Sequence, residues 1–396
     1  MIADVAGRVP TLWHGRGAVH RAMRRLTAGR ETLVIADAAI AAPFLAGLSA
    51  RTVRVDAPTV DVAAVVTLAR EIVMLSPRVV VAVGGGSILD ATKLAALALA
   101  PGRLFDYAIG HASESALTFL PDAPAPVDVV AVPTTLGTSS ETNSVGILKN
   151  DRGYRLIVGH ALRPRHAVID PCTLTTLTNA RVREGALEAF LRLAGASTSP
   201  RRTARGDRDA VVLGRALLET ATHDPSSAAG RLRLARLSAA TQRTAALRGG
   251  DPYSARHWYL ANETAFALGA RKMAATAAVV GAVWRRICSG DGRWGDRESL
   301  EGFWAKAAGG MALPLDPPAG IDALIDRWGV QRPPTPTAQG IDRIAVVTER
   351  WWGRRRPMLP GLVADDVRDV LRDSRWNLEP VGGGRRPSTV VAKEVN

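Results

Sequence analysis

The stretch of sequence that decides the fold reads Val79-Val80-Val81-Ala82-Val83-Gly84-Gly85-Gly86-Ser87-Ile88-Leu89-Asp90-Ala91-Thr92-Lys93. Its first residues predict a buried strand that breaks at three glycines before a helix begins. Residues without a Cβ let the backbone adopt positive φ and approach a phosphate, and the helix presents unpaired first-turn N–H groups and the positive end of its dipole. Ser87 is predicted to cap this helix, with Asp90 as its box-like partner. The stretch therefore predicts a diphosphate site, with an ordinary strand-to-helix turn as the alternative.

Length and composition predict a soluble globular protein of two domains, because 396 residues of which 47% are hydrophobic can bury more than one core. The formal charge of +14 comes almost entirely from arginine and is spread along the chain. Neither zinc-finger spacing nor an aromatic cluster of the RNA-binding kind accompanies it, which argues against a nucleic-acid partner. A loose attraction for acidic partners is still expected.

The cellular compartment is predicted from the cysteines and from the apolar runs. Cys172 and Cys288 are the only cysteines, which fits a reducing compartment. A signal-peptide pattern and a run long enough to span a membrane are both missing from the sequence. We therefore expect a cytoplasmic protein without a membrane partner.

The order of the predicted elements divides the chain into two domains. Strands that alternate with helices predict a doubly wound parallel α/β sheet over residues 1–171, and Asp170-Pro171 marks its end. From Cys172 onward, helical periodicity predicts an all-α domain over residues 172–378, followed by a mobile tail over 379–396. The predicted strands cover 31–36, 52–55, 79–83, 127–132, 155–158 and 167–169. The predicted helices cover an Ala-rich segment after Asp37, then 62–74, 180–194, 207–222, 227–248, 257–288, 300–308 and 365–371. Prolines at 317–318, 333–334 and 336 are predicted to lie in loops.

Four motifs carry a resemblance to a known family. They read Gly84-Gly85-Gly86-Ser87-x-x-Asp90-x-x-Lys93, Pro133-Thr134-Thr135-x-Gly137-Thr138-x-Ser140-Glu141, Pro164 followed by Val168-Ile169-Asp170-Pro171, and Trp352-Gly353 before Arg356-Pro357-Met358-Leu359. Together they resemble the iron-containing alcohol dehydrogenase and dehydroquinate synthase-like superfamily. The resemblance is strong up to Asp170 and weak through the helical half.

The resemblance implies that NAD or NADP lies in a cleft between the two domains. The residues it assigns to the diphosphate are Gly84, Gly85, Gly86 and Ser87, within the motif that also contains Asp90. The residues it assigns to the adenosine and nicotinamide-ribose side are Thr134, Thr135 and Thr138.

Three charged residues complete the implied coenzyme site. Asp37, at the end of its strand, is placed to accept hydrogen bonds from the adenosine ribose, which favours NAD over NADP. Its alternative role is to cap the next helix. Arg155 stands where the family often has a lysine that reaches the nicotinamide side, and Lys93 faces the same cleft. Either can instead be a surface cation.

The metal site implied by the family is missing from this chain. Relatives hold a divalent ion with one Asp and three His, but Gly185, Ala189, Asn262 and Phe266 stand where the first ligands are usual, and Arg271-Lys272 occupy the segment of the last. Of the seven histidines, only His223 and His257 lie in the helical half. No bound metal is therefore expected. A shifted site built from Glu184, Glu188 and His257 is the alternative.

Without the ion, other groups must act on the reacting oxygen. Lys272 and Arg271 are candidates for stabilising an alkoxide or holding a substrate carboxylate. His257 and Tyr259 are candidate proton acceptors, and Glu188 joins them if burial raises its pKa. The alternatives are a core position for Tyr259, a helix-start role for His257 and solvated charges for the others.

Three classes of function follow from these features. The first is a metal-independent NAD(P)-dependent oxidoreductase that acts on a specialised, carboxylate-bearing substrate. In its specific form it resembles the dehydrogenase-like proteins of daptide peptide pathways, which implies oxidation of a C-terminal threonine followed by loss of carbon dioxide. The second is a dehydroquinate synthase-like cyclase. The third is a catalytically inactive protein that binds the coenzyme and a partner. The family also suggests a homodimer.

Overall fold

The computed structural model describes residues 10–40, 50–247 and 251–377. Its strands are β1 (Thr11–His14), β2 (Thr32–Asp37), β3 (Arg51–Val55), β4 (Val79–Gly84), β5 (Leu117–Phe119), β6 (Asp128–Pro133), β7 (Val145–Asn150), β8 (Gly153–Val158) and β9 (His166–Ile169). Its helices are α1 (Ala18–Leu26), α2 (Val62–Leu75), α3 (Gly86–Ala96), α4 (Leu104–Glu114), α5 (Asn179–Ser197), α6 (Ala204–His223), α7 (Ala228–Thr241), α8 (Arg256–Ala267), α9 (Lys272–Cys288), α10 (Arg297–Ala307), α11 (Pro317–Arg327), α12 (Ala338–Trp352) and α13 (Ala364–Arg372).

The N-terminal half contains a six-stranded parallel sheet in the order β1-β9-β6-β4-β2-β3. The strands β2 and β4 are buried along their whole length, because helices cover both faces of the sheet. On one face Val34, Val81 and Val130 pack with α1, and on the other Leu33 and Val80 pack with α2 and α3. The predicted α/β fold class is thus confirmed.

The helical half packs around large aromatic side chains. Phe190 of α5 meets Trp304 of α10 edge to face, and Trp304 meets Trp284 of α9 in the same way. All three are at most 1% exposed. Burying aromatic rings of this size supplies much of the energy that holds a helical core together.

Several predicted elements differ from the structure. The segment 257–288 is two helices, because Gly269 takes a φ of 58° and ends α8 before Arg271 begins α9. The helix predicted at 227–248 ends at Thr241. Pro317 and Pro318 open α11 rather than a loop, since Asp316 accepts a hydrogen bond from the Ala319 N–H.

One predicted strand belongs to a different sheet, several elements were not predicted, and two predicted segments lie outside the described residues. The strand predicted at 155–158 is β8, which belongs to a separate three-stranded sheet in the order β5-β8-β7. The elements β1, α1, α4, β5, β7 and α12 were not predicted. The Ala-rich segment at 41–49 and the tail at 379–396 lie outside the described residues. Within the described ranges, no helix has the length and apolar character needed to cross a bilayer.

Candidate active site

The glycine turn between β4 and α3 ends in a helix without a side-chain cap. Gly85 is the N-cap residue, and no side chain bonds the first-turn N–H groups. Ser87 lies inside the helix and is exposed, so the prediction that it caps α3 is wrong. First-turn N–H groups without a cap, together with the positive end of the helix dipole, form a site for an anion.

The three glycines are required for space and not for backbone conformation. None of them has a positive φ, which corrects the prediction made from their lack of a Cβ. A Cβ on Gly84 would lie 2.6 Å from that of Ile88, and one on Gly86 would lie 2.9 Å from Cγ2 of Thr138. On Gly85 it would lie 3.3 Å from the Thr135 side chain. Close packing therefore requires glycine at these positions: against Ile88 of α3 at residue 84, and against the loop over residues 134–141, called the threonine loop below, at residues 85 and 86.

The structure brings the predicted threonines to this turn. The Thr134 N–H donates to the Gly84 carbonyl at 3.0 Å, which joins the ends of β4 and β6. Thr135 and Thr138 are half-buried beside Gly85 and Gly86. They therefore line the same side of the glycine turn.

Asp37 lies at the same edge of the sheet as the glycine turn. Parallel pairing of β2 with β4 places the carboxyl ends of the two strands together. One Asp37 oxygen accepts the Ala39 N–H at 3.0 Å, and Arg54 donates to the Ile40 carbonyl at 2.7 Å. The helix predicted to be capped by Asp37 falls in residues outside the described ranges.

Asp90 and Lys93 of α3 stabilise the threonine loop through buried hydrogen bonds. Lys93 is 1% exposed, and its ammonium donates to Ser140 Oγ at 2.7 Å, Asn143 Oδ1 at 3.0 Å and the Val145 carbonyl at 2.5 Å. It also pairs with Asp90 at 2.8 Å, and Asp90 accepts the Ile147 N–H at 3.1 Å. Because these acceptors account for every ammonium proton, Lys93 positions the loop and has no donor left for a coenzyme. Its alternative as a surface cation is also wrong.

Arg155 is buried away from the glycine turn. It is fully shielded, its guanidinium stacks over the Trp351 ring at 4.3 Å, and it donates to the Arg152 carbonyl at 2.6 Å. Burial lowers its pKa, while the charge of Glu263 opposes this shift. Its contacts are with α8 and α12, so neither the predicted nicotinamide contact nor a surface position describes it.

The threonine loop covers the face of α5 where relatives would place metal ligands. A Cβ on Gly185 would lie 2.3 Å from the Leu136 carbonyl oxygen. A Cβ on Gly137 would lie 2.8 Å from the Gly185 Cα and 3.0 Å from a Glu188 carboxylate oxygen. Gly137 also has a φ of 112°, which favours glycine. The backbone therefore occupies the space that a side chain at residue 185 would need.

The residues present do not fit a divalent metal ion. Both Glu184 oxygens accept bonds from Arg271, one of them at 2.9 Å, and Arg181 pairs with Glu184 at 2.9 Å. Asn262 and Phe266 contact Tyr154 instead, through a 3.4 Å hydrogen bond and an edge-to-face ring contact. Within the described residues, no three His, Cys, Asp or Glu side chains converge on a common point. The alternative site built from Glu184, Glu188 and His257 is therefore not formed.

Arg271 is occupied by the same ion pair. Its bidentate contact with Glu184 joins α5 to the start of α9. Such a planar pairing uses the guanidinium donors that a substrate carboxylate would need. Arg271 therefore holds two helices together, and its predicted role towards the reacting oxygen is not supported.

Lys272 lies near charged groups of both halves of the chain, Asp90 from the first and Glu188 and Arg192 from the second. Its ammonium sits 3.7 Å from the centre of the Trp258 ring. Burial and the charge of Arg192 lower the pKa of Lys272 to about 8, against the opposing effects of Glu188 and Asp90. A lysine with this pKa exchanges its proton near neutral pH.

His257 and Tyr259 differ in their surroundings although both begin α8. Burial, and then the nearby Lys272, lower the pKa of His257 to about 4, so its imidazole is uncharged at neutral pH. Tyr259 points to the other side of the helix, because two residues turn it by about 200°. It lies 5.0 Å from the Trp352 ring, and burial raises its pKa. Tyr259 is therefore an aromatic core residue, as its alternative stated.

Two residues that the sequence reading did not assign also belong to the cleft. Arg192 donates to the Gly137 carbonyl at 2.5 Å, the Thr138 carbonyl at 3.2 Å and Thr241 Oγ1 at 2.7 Å. Glu141 is buried, and its burial raises its pKa to about 7. The only signal for Arg192 was its position four residues after Glu188, whereas Glu141 stands inside the threonine motif.

Restoring an aspartate at position 185 is expected to destabilise the protein without creating a metal site. The new side chain would overlap the Leu136 carbonyl, and overpacking of this kind costs about 1–3 kcal/mol or more. Thermal unfolding of Gly185→Asp, with metal analysis of the purified variant, measures both effects. Gly292→Asp is the control, because nothing lies within 4 Å of a Cβ there. Stoichiometric metal in a stable Gly185→Asp variant would contradict this reading of α5.

Comparison with known proteins gives the following similarities. Residues 10–171 match the family model described as iron-containing alcohol dehydrogenase. A phosphonoacetaldehyde reductase of Streptomyces viridochromogenes is 36% identical over 197 residues, which are 48% of this chain and 49% of that protein. A mitochondrial hydroxyacid-oxoacid transhydrogenase of Caenorhabditis elegans is 36% identical over 134 residues, 31% of this chain and 28% of that protein. The chain thus spans about half the length, or less, of these curated relatives.

The similarity of the fold extends through the helical half. The crystal structure of an NADH-dependent butanol dehydrogenase A from Thermotoga maritima superposes with a TM-score of 0.75 at 18% identity. The superposition covers 92% of this chain and 97% of that one. The likeness in fold therefore includes the helical half, where the family model does not match.

Proposed function

We propose that the protein is a nicotinamide-dependent oxidoreductase that works without a metal ion, since residues 10–171 match the family model of iron-containing alcohol dehydrogenase. It interconverts a hydroxyl and a carbonyl group, and the Lys272 ammonium acts on the reacting oxygen. The coenzyme lies across the glycine turn.

One observation carries this proposal: the short loop from Thr135 to Thr138 contacts both the glycine turn and Glu188, which lies near Lys272. Thr138 packs against Gly86 of the glycine turn, and the neighbouring Gly137 packs against Glu188. Glu188 in turn acts electrostatically on Lys272. These contacts support placing the coenzyme and the ammonium on either side of the same loop.

The chemistry follows from the charge of each group. The nicotinamide, when bound, accepts or supplies the hydride. In the reducing direction the Lys272 ammonium donates its proton to the carbonyl oxygen, and in the oxidising direction the neutral amine takes the hydroxyl proton. Glu188 stabilises the ammonium, and the uncharged His257 imidazole adds no competing cation.

The coenzyme is NAD rather than NADP in this proposal. Asp37 stands at the end of β2, beside the end of β4 that opens into the glycine turn. A carboxylate at this position accepts ribose hydroxyl groups and repels a 2′-phosphate.

The substrate carries an anionic group near the reacting hydroxyl. The Lys272 ammonium is a cation placed to attract such a group. The names of the two curated relatives also describe anionic compounds, a phosphonoaldehyde and hydroxy- and oxoacids. The specific form of the proposal is a C-terminal threonine of a ribosomal peptide. Its β-carbon would give a hydride to NAD, its β-hydroxyl would give a proton to the neutral Lys272 amine, and the resulting β-keto acid would release carbon dioxide.

The test is turnover by metal-free protein. We expect protein dialysed against a chelator, with no metal by elemental analysis, to form NADH from a hydroxyacid or a threonine-ended peptide, and to use NADP less well. Activity that returns only when iron or zinc is added would overturn the metal-free proposal. Product without net NADH would indicate the cyclase, and coenzyme binding without turnover on any substrate would indicate the inactive partner protein. Either result would reject the oxidoreductase.

A further inference from the structure

A groove on the outer side of α7 has an apolar floor and an arginine rim. It encloses about 480 Å³ and is lined by Leu12, Arg233, Arg236, Leu237, Ala240 and Arg243. No acidic side chain is among these lining residues. We propose that this groove binds an extended, acidic peptide segment.

The first argument is unbalanced positive charge. Arg233 and Arg236 are exposed, and neither has an ion pair or a hydrogen bond within the part of the chain that the structure describes. Elsewhere on the surface, Arg293 and Arg368 each pair with two carboxylates. The guanidinium groups of Arg233 and Arg236 therefore lack, within the described residues, the intramolecular partners found at those other positions. They favour a ligand that brings its own carboxylates.

The second argument is an edge strand beside the arginines, β1, which pairs on one side only among the residues that the structure describes. β1 is the last strand of the six-stranded sheet and pairs with β9 on one side. The N–H groups of Thr11 and Gly15 donate to the chain around β9. Because donors alternate along a strand, the N–H of Leu12 points to the open side, where an extended peptide can pair with it. The side chain of Leu12 lies on the floor of the groove.

The charge of the groove decides between a peptide and a second copy of this chain. A symmetric dimer through this face would place the same patch on both subunits. Arg233 and Arg236 of one subunit would then face the same residues of the other, and like charges at an interface are unfavourable. An acidic peptide is complementary instead, and its apolar side chains can occupy the floor formed by Leu237 and Ala240.

The groove is separate from the candidate active site. On the opposite side of α7, Ser238 accepts a hydrogen bond from the Gly137 N–H at 3.2 Å. The helix thus lies between the groove and the cleft that contains Lys272. Peptide binding can therefore be measured without turnover, and its failure would leave the proposed oxidoreductase activity untouched.

The experiment is fluorescence anisotropy with a labelled octapeptide of alternating glutamate with valine or leucine. We expect the full-length protein to bind this peptide. The Arg233→Glu/Arg236→Glu variant should bind it at least about tenfold more weakly. The matched control is Arg205→Glu/Arg208→Glu on α6, which changes the charge equally at two exposed arginines. Leu237→Lys removes the apolar floor and should weaken binding as well. Thermal unfolding of each variant verifies that it is folded.

Other outcomes would overturn the proposal. Equal losses in the two double variants would mean that the peptide responds only to net charge. Equally tight binding of a single-stranded oligonucleotide of the same charge would indicate a nonspecific basic surface. Self-association in sedimentation experiments that depends on Arg233 and Arg236 would assign the groove to a second copy of the chain.

Discussion

Replacing Lys272 by methionine is expected to lower kcat by about 10²- to 10⁴-fold, the usual contribution of a positioned acid or base. The coenzyme Kd should stay unchanged, because the Lys272 ammonium packs on the Trp258 ring, whereas the diphosphate is assigned to the glycine turn. Steady-state kinetics and calorimetric coenzyme titration measure the two effects separately. Lys306→Met is the matched control, since Lys306 is an exposed lysine on α10.

The pH dependence tests the role of Lys272 further. Carbonyl reduction needs the ammonium, so its kcat/KM should be constant at lower pH and fall as the pH rises through about 8. Alcohol oxidation needs the neutral amine and should rise through the same pH. Lys272→Arg keeps the charge but should lose both transitions, because a guanidinium does not release its proton. Unchanged pH profiles in Lys272→Met would contradict the assignment.

Replacing Gly85 by aspartate is expected to weaken coenzyme binding by about 100-fold or more, since a carboxylate would stand where the diphosphate binds. Gly85 is the N-cap residue of α3, and aspartate is among the best N-cap residues. The variant side chain would therefore fill the anion site itself and repel the coenzyme. Its Cβ would lie 3.3 Å from the Thr135 side chain, so the new cap and this tight contact oppose each other in their effect on stability, and thermal unfolding verifies that the variant is folded.

The Gly85→Asp variant needs one control for the added charge and one for the added side chain. Gly85→Asn caps the helix without charge and should bind more tightly than Gly85→Asp. Gly110→Asp places the same group at an exposed position of α4 where nothing lies within 4 Å, and it should behave as the unaltered protein. An unchanged coenzyme Kd in Gly85→Asp would reject the diphosphate assignment and, with it, the proposed cleft.

The position of the glycine turn could be predicted from sequence, but its reason could not. The apolar run of β4 and the helical periodicity after it are local patterns, so they identified the turn and the parallel sheet. The need for glycine at positions 85 and 86 comes from Thr135 and Thr138, which lie about fifty residues further along the chain. A local pattern carries no information about such contacts, and the prediction of positive φ was therefore wrong.

For the catalytic candidates as well, residue types could be read from the sequence but contacts between distant residues could not. The absence of metal ligands could be inferred by counting histidines and comparing positions, and the charge of Lys272 was visible as a residue type. The pairing of Arg271 with Glu184 joins helices 87 residues apart, and Arg192 reaches its loop across more than fifty. Which of these cations already has a partner within the protein therefore depends on how the helices pack.

The sequence by itself determined the α/β sheet, the helical second half, the glycine turn and the family resemblance, because each depends on residue types at short spacing. Tertiary structure alone decided that Lys93 and Arg271 are engaged by protein groups while Lys272 remains in the cleft. Burial and distance set these outcomes, since an ammonium or guanidinium group can act on a substrate only where protein oxygens have not already taken its protons, and within the described residues the Lys272 contact is with the Trp258 ring.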